Sequence, residues 1–148
     1  IFDLIPKNIP RLISIGRLDY MSEGLILLTN NGDFARKLEL PSTNILRVYR
    51  VYGKGDISVD DINKVNSGIS IDKLFYKKIE VTIEKIIKPN FWLKFKLKEG
   101  KNREIRNICK YFNWSINKLI RLQYGPIKLA KEKPGQIHEI IPIPKDFK

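Results

Sequence analysis

The sequence predicts an α+β domain whose sheet is mixed but largely antiparallel and is flanked by helices. Several short segments are rich in β-branched and aromatic residues or alternate between apolar and polar residues, as strands do. Segments with helical periodicity lie between them, and turn residues recur at short spacing. Strands and helices interspersed in this way are typical of an α+β fold.

The strands are predicted from apolar runs and from alternation. LILLT is a short apolar run of the kind that forms a buried strand, and ILRVYRVY is a strand that Gly53 and Gly55 should end. IEVTIEKII and FWLKFKL both alternate, and the Lys-Pro-Asn between them favours an antiparallel pair. The predicted strands, including two further ones near the end of the chain, cover residues 25–29, 45–52, 79–87, 91–97, 116–122 and 136–141.

Three helices are predicted. The first runs from Gly32 to about Leu40 and is ended by Pro41. The second covers about 59–66, where Ser58 and Asp61 resemble a capping box. The third, 103–113, is amphipathic with Asn102 as its N-cap, and its apolar and basic faces carry Ile105, Ile108, Cys109 and Phe112, and Arg103, Arg106 and Lys110, respectively.

Length and composition indicate one globular domain. The chain has 148 residues, of which 43% are hydrophobic and 30% charged, which excludes a disordered chain. No apolar run approaches the roughly 20 residues that a membrane span needs. A single cysteine excludes a disulfide framework, and because no signal peptide is visible we expect a reducing, cytoplasmic setting. Because the chain begins at Ile1 rather than Met, we expect it to be a fragment.

The net charge of +12 is concentrated in the second half of the chain. Residues 1–74 hold 10 basic and 9 acidic side chains (+1), whereas residues 75–148 hold 18 and 7 (+11). A basic half favours a polyanionic partner, most often nucleic acid. The 20 lysines against 8 arginines, with abundant Ile and Asn, also fit a composition biased by an AT-rich genome.

Metal and nucleotide sites are not indicated. The glycines at 53–55 and at 100 lack the pattern of a dinucleotide or phosphate-binding loop. One His and one Cys cannot build a zinc site, and His138 has no evident nucleophile to serve. Cys109 lies on the apolar helix face and is interpreted as core. The sequence therefore offers no recognisable metal-binding or nucleotide-binding pattern.

Three polar clusters are candidates for chemistry. Asp19 stands just before the apolar run 25–29, where a carboxylate must be paired with a cation or hydrogen-bonded by backbone amides. It could act as a nucleophile or simply cap a turn. The segment 99–106 places cations at the start of a helix, against the helix dipole, so they could meet a carboxylate or a phosphate, or form a solvated face. Tyr49, between Arg47 and Arg50 on a strand, could stack on a base or pack in the core.

In this order and spacing the clusters resemble the Rsu/Rlu family of ribosomal RNA pseudouridine synthases. The sequence GRLDYMSEGLILLTNNG at residues 16–32 resembles the active-site motif of that family. RVYRV at 47–51 resembles its tyrosine motif, and EGKNREIR at 99–106 resembles its basic motif. LIR at 119–121 with GPI at 125–127 resembles the leucine-containing strand, and PGQIHEI at 134–140 the terminal segment, with His138 where Arg is commoner. NFW at 90–92 and the segment 119–125 are most similar to the RluB-like branch, which acts on large-subunit RNA.

The resemblance implies the pseudouridine synthase catalytic fold and the conversion of a uridine in 23S RNA to pseudouridine. The reaction uses no metal and no cofactor. By resemblance Asp19 is the catalytic carboxylate, Arg106 pairs with it, and Tyr49 stacks on the flipped uracil. The expected substrate-binding residues are Arg17, Lys101, Arg103, Leu119 and Arg121, with Leu119 against the other side of the base and Lys101 and Arg103 at phosphates.

The sequence departs from the family at its start. The usual N-terminal S4 RNA-binding domain and the first catalytic strand have no counterpart, so we expect residues 1–148 to be the catalytic domain alone. We expect a monomer that binds ribosomal RNA and no membrane. Two alternatives stay open: a non-catalytic RNA-binding or ribosome-assembly module, and a synthase for small-subunit (16S) or transfer RNA.

Overall fold

The computed structural model describes residues 1–98 and 103–147, and the fold centres on one six-stranded sheet. The α-helices in this part of the chain are α1 (Gly32–Glu39), α2 (Val59–Asn66) and α3 (Glu104–Tyr111). The strands are β1 (Ile13–Ile15), β2 (Ser22–Gly24), β3 (Leu27–Thr29), β4 (Arg47–Lys54), β5 (Ile69–Ile71), β6 (Leu74–Tyr76), β7 (Glu80–Ile87), β8 (Asn90–Leu97), β9 (Ser115–Tyr124) and β10 (Ile127–Lys128).

The main sheet has the strand order β10-β9-β4-β8-β7, and β2 pairs with β9 as well. All of these pairs are antiparallel except β2 with β9, which is parallel. Two smaller antiparallel pairs, β1 with β3 and β5 with β6, lie outside this sheet. The predicted α+β class with a largely antiparallel mixed sheet is confirmed.

The main core lies on one face of the sheet. Alternate residues of β8 are buried because successive side chains of a strand point to opposite faces. Helices α2 and α3 cover this face with their apolar sides. The buried residues that meet there include Phe91, Leu93, Phe95, Ile62, Val65, Ile105, Ile108 and Cys109. This face is called the helix-covered face below.

A second core joins α1 to the region that carries the candidate site. Leu38 of α1 packs with Ile15 and Leu27 of β1 and β3, and with Tyr124 at the end of β9. The β1–β3 pair is therefore fastened to the sheet on both sides of residues 16–24. This anchoring fixes the position of the polar cluster around Asp19.

All three predicted helices are present, and the predicted bounds of α1 and α2 are confirmed. The α1 helix begins after Asn31, whose side chain accepts a hydrogen bond from the Phe34 amide, and it ends before Pro41. The α2 helix spans the predicted residues, and the Ser58 hydroxyl accepts from the Asp61 amide at 3.1 Å. The α3 helix is shorter than the predicted 103–113, with Arg103 at its N-cap, and Asn102 lies outside the described residues.

Some strand predictions were wrong in extent. Of the run 25–29 only residues 27–29 form a strand, β3, because residues 25 and 26 connect it to β2, which pairs with β9 and not with β1. The strand predicted at 45–52 is shifted to 47–54, since Gly53 continues the pairing in β4 instead of ending it. The strand predicted at 116–122 extends over 115–124 as β9.

The strand predicted at 136–141 does not form, and this segment has no regular secondary structure. Its residues are exposed, so its apolar pattern is not matched by a buried face. Alternation predicts a strand only where a neighbouring strand is present to bond with it. Within the described part of the chain, no helix is long and apolar enough to cross a membrane.

Candidate active site

Asp19 lies at the start of a tight turn that leads into β2. The Ser22 amide donates a hydrogen bond to the Asp19 carbonyl at 2.9 Å, so Tyr20 and Met21 form the tip of the turn. Tyr20 is 98% exposed and Met21 is 70% exposed. The turn therefore presents the Asp19 carboxylate beside two large, solvent-facing side chains.

The parallel pairing of β2 with β9 holds this turn against the sheet. Ser22 is in register with Leu119, and Gly24 with Arg121. Gly24 has φ +107°, and a Cβ there would lie 2.3 Å from the Arg121 carbonyl oxygen. Only glycine allows this close approach. The glycine of the motif is thus needed to place the Asp19 turn.

Two arginines from the start of α3 meet the Asp19 carboxylate. The Arg106 Nε lies 3.4 Å from Asp19 Oδ2, and the Arg103 Nη1 lies 3.8 Å from the same oxygen. The Arg106 side chain is 16% exposed, that of Asp19 is 32% exposed and that of Arg103 is 54% exposed. Arg106 is therefore the more deeply buried partner, and Arg103 lies at the rim.

The Arg106 guanidinium spans both ends of the Asp19 turn. Its Nη2 donates to the Ser22 hydroxyl at 3.3 Å. In the part of the chain that the structure describes, its buried Nε has no aligned hydrogen-bond acceptor, so the contact with Asp19 is a charge pair. Such contacts often shorten when a substrate binds. Sequence reasoning did not single out Ser22, although it lies inside the quoted motif.

Arg121 is buried and acts within the protein. It is 2% exposed, and its Nε donates to the Leu25 carbonyl at 2.8 Å, while the Leu25 amide donates to the Arg121 carbonyl at 2.9 Å. Its guanidinium also lies 5.2 Å from the centre of the Tyr124 ring. These contacts join the end of β2 to β9.

Tyr49 and Leu119 lie on the helix-covered face, beside the candidate site. In the sheet, Tyr49 is in register with Arg121 on one side and with buried Phe95 on the other. Leu119 is in register with Ser22 of β2 and Val51 of β4, and is 4% exposed in the main core. Tyr49 is partly buried against the same core, so it retains a solvent-accessible part. Directly bonded neighbours across strands project to the same side of a sheet, which groups these residues.

The remaining predicted residues surround this centre. Arg17 is exposed two residues before Asp19. Lys101 lies outside the described residues. Arg103, Arg106 and Lys110, predicted to share a helix face, line one depression of about 390 Å³ together with Asn113 and Trp114. A basic depression therefore continues from the Asp19 carboxylate along α3.

In this arrangement a carboxylate can lie close to a polyanionic ligand, because cations surround it. Two guanidiniums neutralise the carboxylate, and further cations extend away from it, as recognition of phosphates requires. Cys109 is fully buried, and burial raises the pKa of its thiol to about 12, so it is not a nucleophile at neutral pH. Among residues 1–98 and 103–147 there is no group of three or more acidic, His or Cys side chains that could hold a metal ion.

Curated sequence relatives match most of this chain. A protein from Rickettsia felis named uncharacterized RNA pseudouridine synthase is 51% identical over 135 residues, which cover 90% of this chain and 58% of that protein. A Buchnera aphidicola protein named ribosomal large subunit pseudouridine synthase B is 41% identical over 140 residues, covering 92% of this chain and 54% of its relative. The chain thus spans about half the length of the curated relatives that it matches.

Solved structures support the fold. One described as pseudouridylate synthase superposes with a TM-score of 0.80 at 19% identity, over 91% of this chain and 59% of that one. The archaeal box H/ACA sRNP Nop10-Cbf5 complex gives a TM-score of 0.59 at 19% identity, over 83% of this chain and 41% of the other. A family model described as RNA pseudouridylate synthase matches residues 5–111, a stretch that includes Asp19, Tyr49 and Arg106. This chain belongs to the RNA pseudouridylate synthase family.

Proposed function

We propose that this chain is a catalytic domain that converts a uridine of ribosomal RNA to pseudouridine, and that its target lies in large-subunit RNA. The observation that carries the proposal is the pairing of Asp19 with Arg106, two motif residues brought together from distant parts of the chain. The large-subunit target is supported by two Buchnera relatives named ribosomal large subunit pseudouridine synthase B, at 41% and 40% identity.

The proposed reaction is an isomerisation. The bond between the uracil N1 and the ribose C1′ breaks, the base turns, and a bond forms between the uracil C5 and the same ribose carbon. The proton on C5 is lost and N1 gains a proton, so atoms and electrons balance without an added reactant. The protein must therefore bind a flipped base, promote cleavage of the N1–C1′ bond and move a proton.

Asp19 is assigned the role of the catalytic carboxylate. Arg106 holds it from α3, and through the Ser22 hydroxyl the same guanidinium also fixes the end of the turn. A nucleophile held in place by partly buried partners reacts without first having to be ordered. Ser22 is assigned a positioning role, because its contact is with Arg106.

Tyr49 is assigned to the uracil ring. Its position beside the site and its accessible part would allow it to stack on the flipped base, and its hydroxyl could carry a proton. Leu119 and Arg121 are 4% and 2% exposed, which leaves too little accessible surface for extensive contact with RNA. Leu119 is assigned to the floor of the pocket that holds the uracil, and Arg121 to the support of the Asp19 turn.

The cations at the rim are assigned to RNA. Flipping a base out of folded RNA costs a few kcal/mol, and contacts between cations and phosphates would offset part of that cost. Arg17 is exposed close to Asp19, and Arg103 lies at the rim of the basic depression. Lys101 is assigned to the same task from its place in the basic motif.

The test is pseudouridine mapping on unmodified large-subunit RNA. RNA incubated with the full chain is labelled with carbodiimide and read by primer extension. We expect a new stop with the parent and none with Asp19→Asn, which keeps the shape of the side chain and removes its charge. Asp33→Asn, at an exposed aspartate of α1, is the matched control and should give the parent's stop.

Turnover by Asp19→Asn would overturn the assignment of the carboxylate. RNA binding by the parent without any stop would overturn the proposed activity and favour an RNA-binding module. Stops confined to small-subunit or transfer RNA would overturn the proposed target alone. Each outcome thus bears on a different part of the proposal.

A further inference from the structure

The face of the sheet opposite the candidate active site carries aromatic and basic side chains. Tyr52, Trp92, Lys94 and Lys96 are half-buried, and Lys118 is exposed. Each of the four half-buried residues follows a residue buried on the helix-covered face, so alternation places it on the other side. This opposite side is called the open face, and its aromatic and basic residues are Arg50, Tyr52, Lys85, Trp92, Lys94, Lys96 and Lys118.

One row of residues crosses four strands of the open face. Tyr52 of β4 is in register with Lys118 of β9 and with Trp92 of β8, and Trp92 is in register with Lys85 of β7. The Tyr52 and Trp92 ring centres are 4.7 Å apart with the planes tilted by 37°. The Lys85 Nζ lies 5.5 Å from the centre of the Trp92 ring. The row therefore reads cation, aromatic, aromatic, cation.

The neighbouring rows add positive charge. Arg50 is in register with Lys94, and Lys96 follows two residues later along β8. Two carboxylates oppose them: Glu84 binds Arg50 through two hydrogen bonds of 2.9 and 3.1 Å, and Glu80 lies 4.0 Å from Lys96. The Arg50 guanidinium holds the pKa of Glu84 below its usual value. Lys85, Lys94 and Lys118 still leave the open face positively charged.

We propose that the open face binds single-stranded RNA, with bases stacked on Tyr52 and Trp92 and phosphates at the surrounding lysines. A sheet face with exposed aromatics is a surface on which unpaired bases stack, and stacking tolerates any sequence. A duplex hides the faces of its bases, so the aromatic pair selects an unpaired strand. The charge of the row fits a polyanion better than a neutral protein segment.

The open face is a second RNA surface, separate from Asp19. A strand bound there lies on the far side of the sheet from the uridine to be modified. Its role would be to hold RNA that flanks the target, which adds affinity without touching the chemistry. That role rests on the proposed function, whereas binding of a single strand by the open face does not.

Tryptophan fluorescence reports on this surface directly. The chain has two tryptophans, and Trp114 is 2% exposed whereas Trp92 is half-buried on the open face. We expect an unpaired oligouridylate to quench the emission of the full chain, and a duplex of the same length to quench it much less. Trp92→Phe should remove the quenching and preserve the fold, because an aromatic ring remains. Asp19→Asn should be quenched like the parent.

Affinity variants test the stacking pair. Tyr52→Ala should weaken binding of the oligouridylate about tenfold, the usual effect of removing one stacking ring. Tyr111→Ala is the matched control, because Tyr111 is an exposed tyrosine of α3, and it should bind like the parent. Lys94→Gln with Lys96→Gln should weaken binding and reduce its salt dependence, with both rings intact.

The proposal fails if the oligouridylate does not quench Trp92, or if the duplex quenches it equally. It also fails if Tyr52→Ala binds as tightly as the parent while circular dichroism shows it folded. Self-association in sedimentation that Trp92→Phe or Tyr52→Ala abolishes would instead assign the open face to a second copy of the chain. None of these readouts requires turnover, so this failure is distinct from failure of the proposed function.

Discussion

At the scale of single residues, the Asp19 carboxylate is held by two arginines of unequal burial. Arg106 is mostly buried and also bonds Ser22, whereas Arg103 is half exposed and lies farther from the carboxylate. Burial strengthens a charge pair and raises the cost of breaking it. The two arginines should therefore differ in what their removal does.

We predict that Arg106→Ala destabilises the fold by about 2 kcal/mol, less than for a fully buried pair because Asp19 is 32% exposed. It should also abolish detectable pseudouridine formation, since the turn loses its hold on the carboxylate. Arg103→Ala should cost well under about 1 kcal/mol, as exposed pairs do. Urea unfolding measures the first effect, and primer extension the second. Equal destabilisation by both substitutions would contradict this ranking.

The residues of the candidate site differ in how far sequence could predict them. The meeting of Asp19 with Arg106 was expected from motifs, and the structure places the two at 3.4 Å. The hydrogen bond from Arg121 to the Leu25 carbonyl was not expected. In the sequence alone, a buried arginine that binds a carbonyl looks the same as an exposed arginine that binds phosphate. Arg103 was assigned to phosphate alone, yet it also lies near Asp19, since its position depends on how α3 is docked.

At the scale of elements, the Ser58 cap of α2 is a local sequence signal whose contribution to stability can be measured. We predict that Ser58→Ala lowers the free energy of unfolding by about 1 kcal/mol, because the Asp61 amide loses its acceptor. The α2 helix contributes Ile62 and Val65 to the main core, so the loss is felt globally. Urea unfolding measures it, with exposed Ser70→Ala of β5 as the control. A loss equal to that of Ser70→Ala would show that the cap is not stabilising.

Elements were predictable where their signals are local. The end of α1 at Pro41, the cap of α2 and the β7–β8 hairpin each depend on a few consecutive residues. The short strands β5 and β6 were missed, because three residues give too little periodicity to recognise. The pairing of β2 with β9 joins residues almost a hundred positions apart, and no local pattern encodes it. That non-local pair is the one that seats the Asp19 turn.

At the scale of the whole molecule, the cations of the second half of the chain are grouped on particular surfaces of the fold. The second half of the chain, with a net charge of +11, supplies β7, β8, α3 and β9. These elements provide cations both to the depression beside Asp19 and to the open face. The α1 helix comes from the nearly neutral first half. Electrostatic binding of RNA should therefore depend on where a lysine lies and not only on how many there are.

Two lysines, each in the last turn of its helix, test this dependence. Lys110 and Lys37 are both exposed in the last turn of an eight-residue helix, but only Lys110 lines the basic depression beside Arg106. The logarithm of RNA affinity should fall linearly with that of salt concentration, and Lys110→Gln should reduce the slope by about 0.7 to 0.9, one phosphate contact. Lys37→Gln should leave the slope unchanged, as measured by filter binding of a ribosomal RNA fragment across a salt series. An equal reduction of the slope by both variants would mean that net charge alone, and not the placement of cations beside Asp19, governs the association.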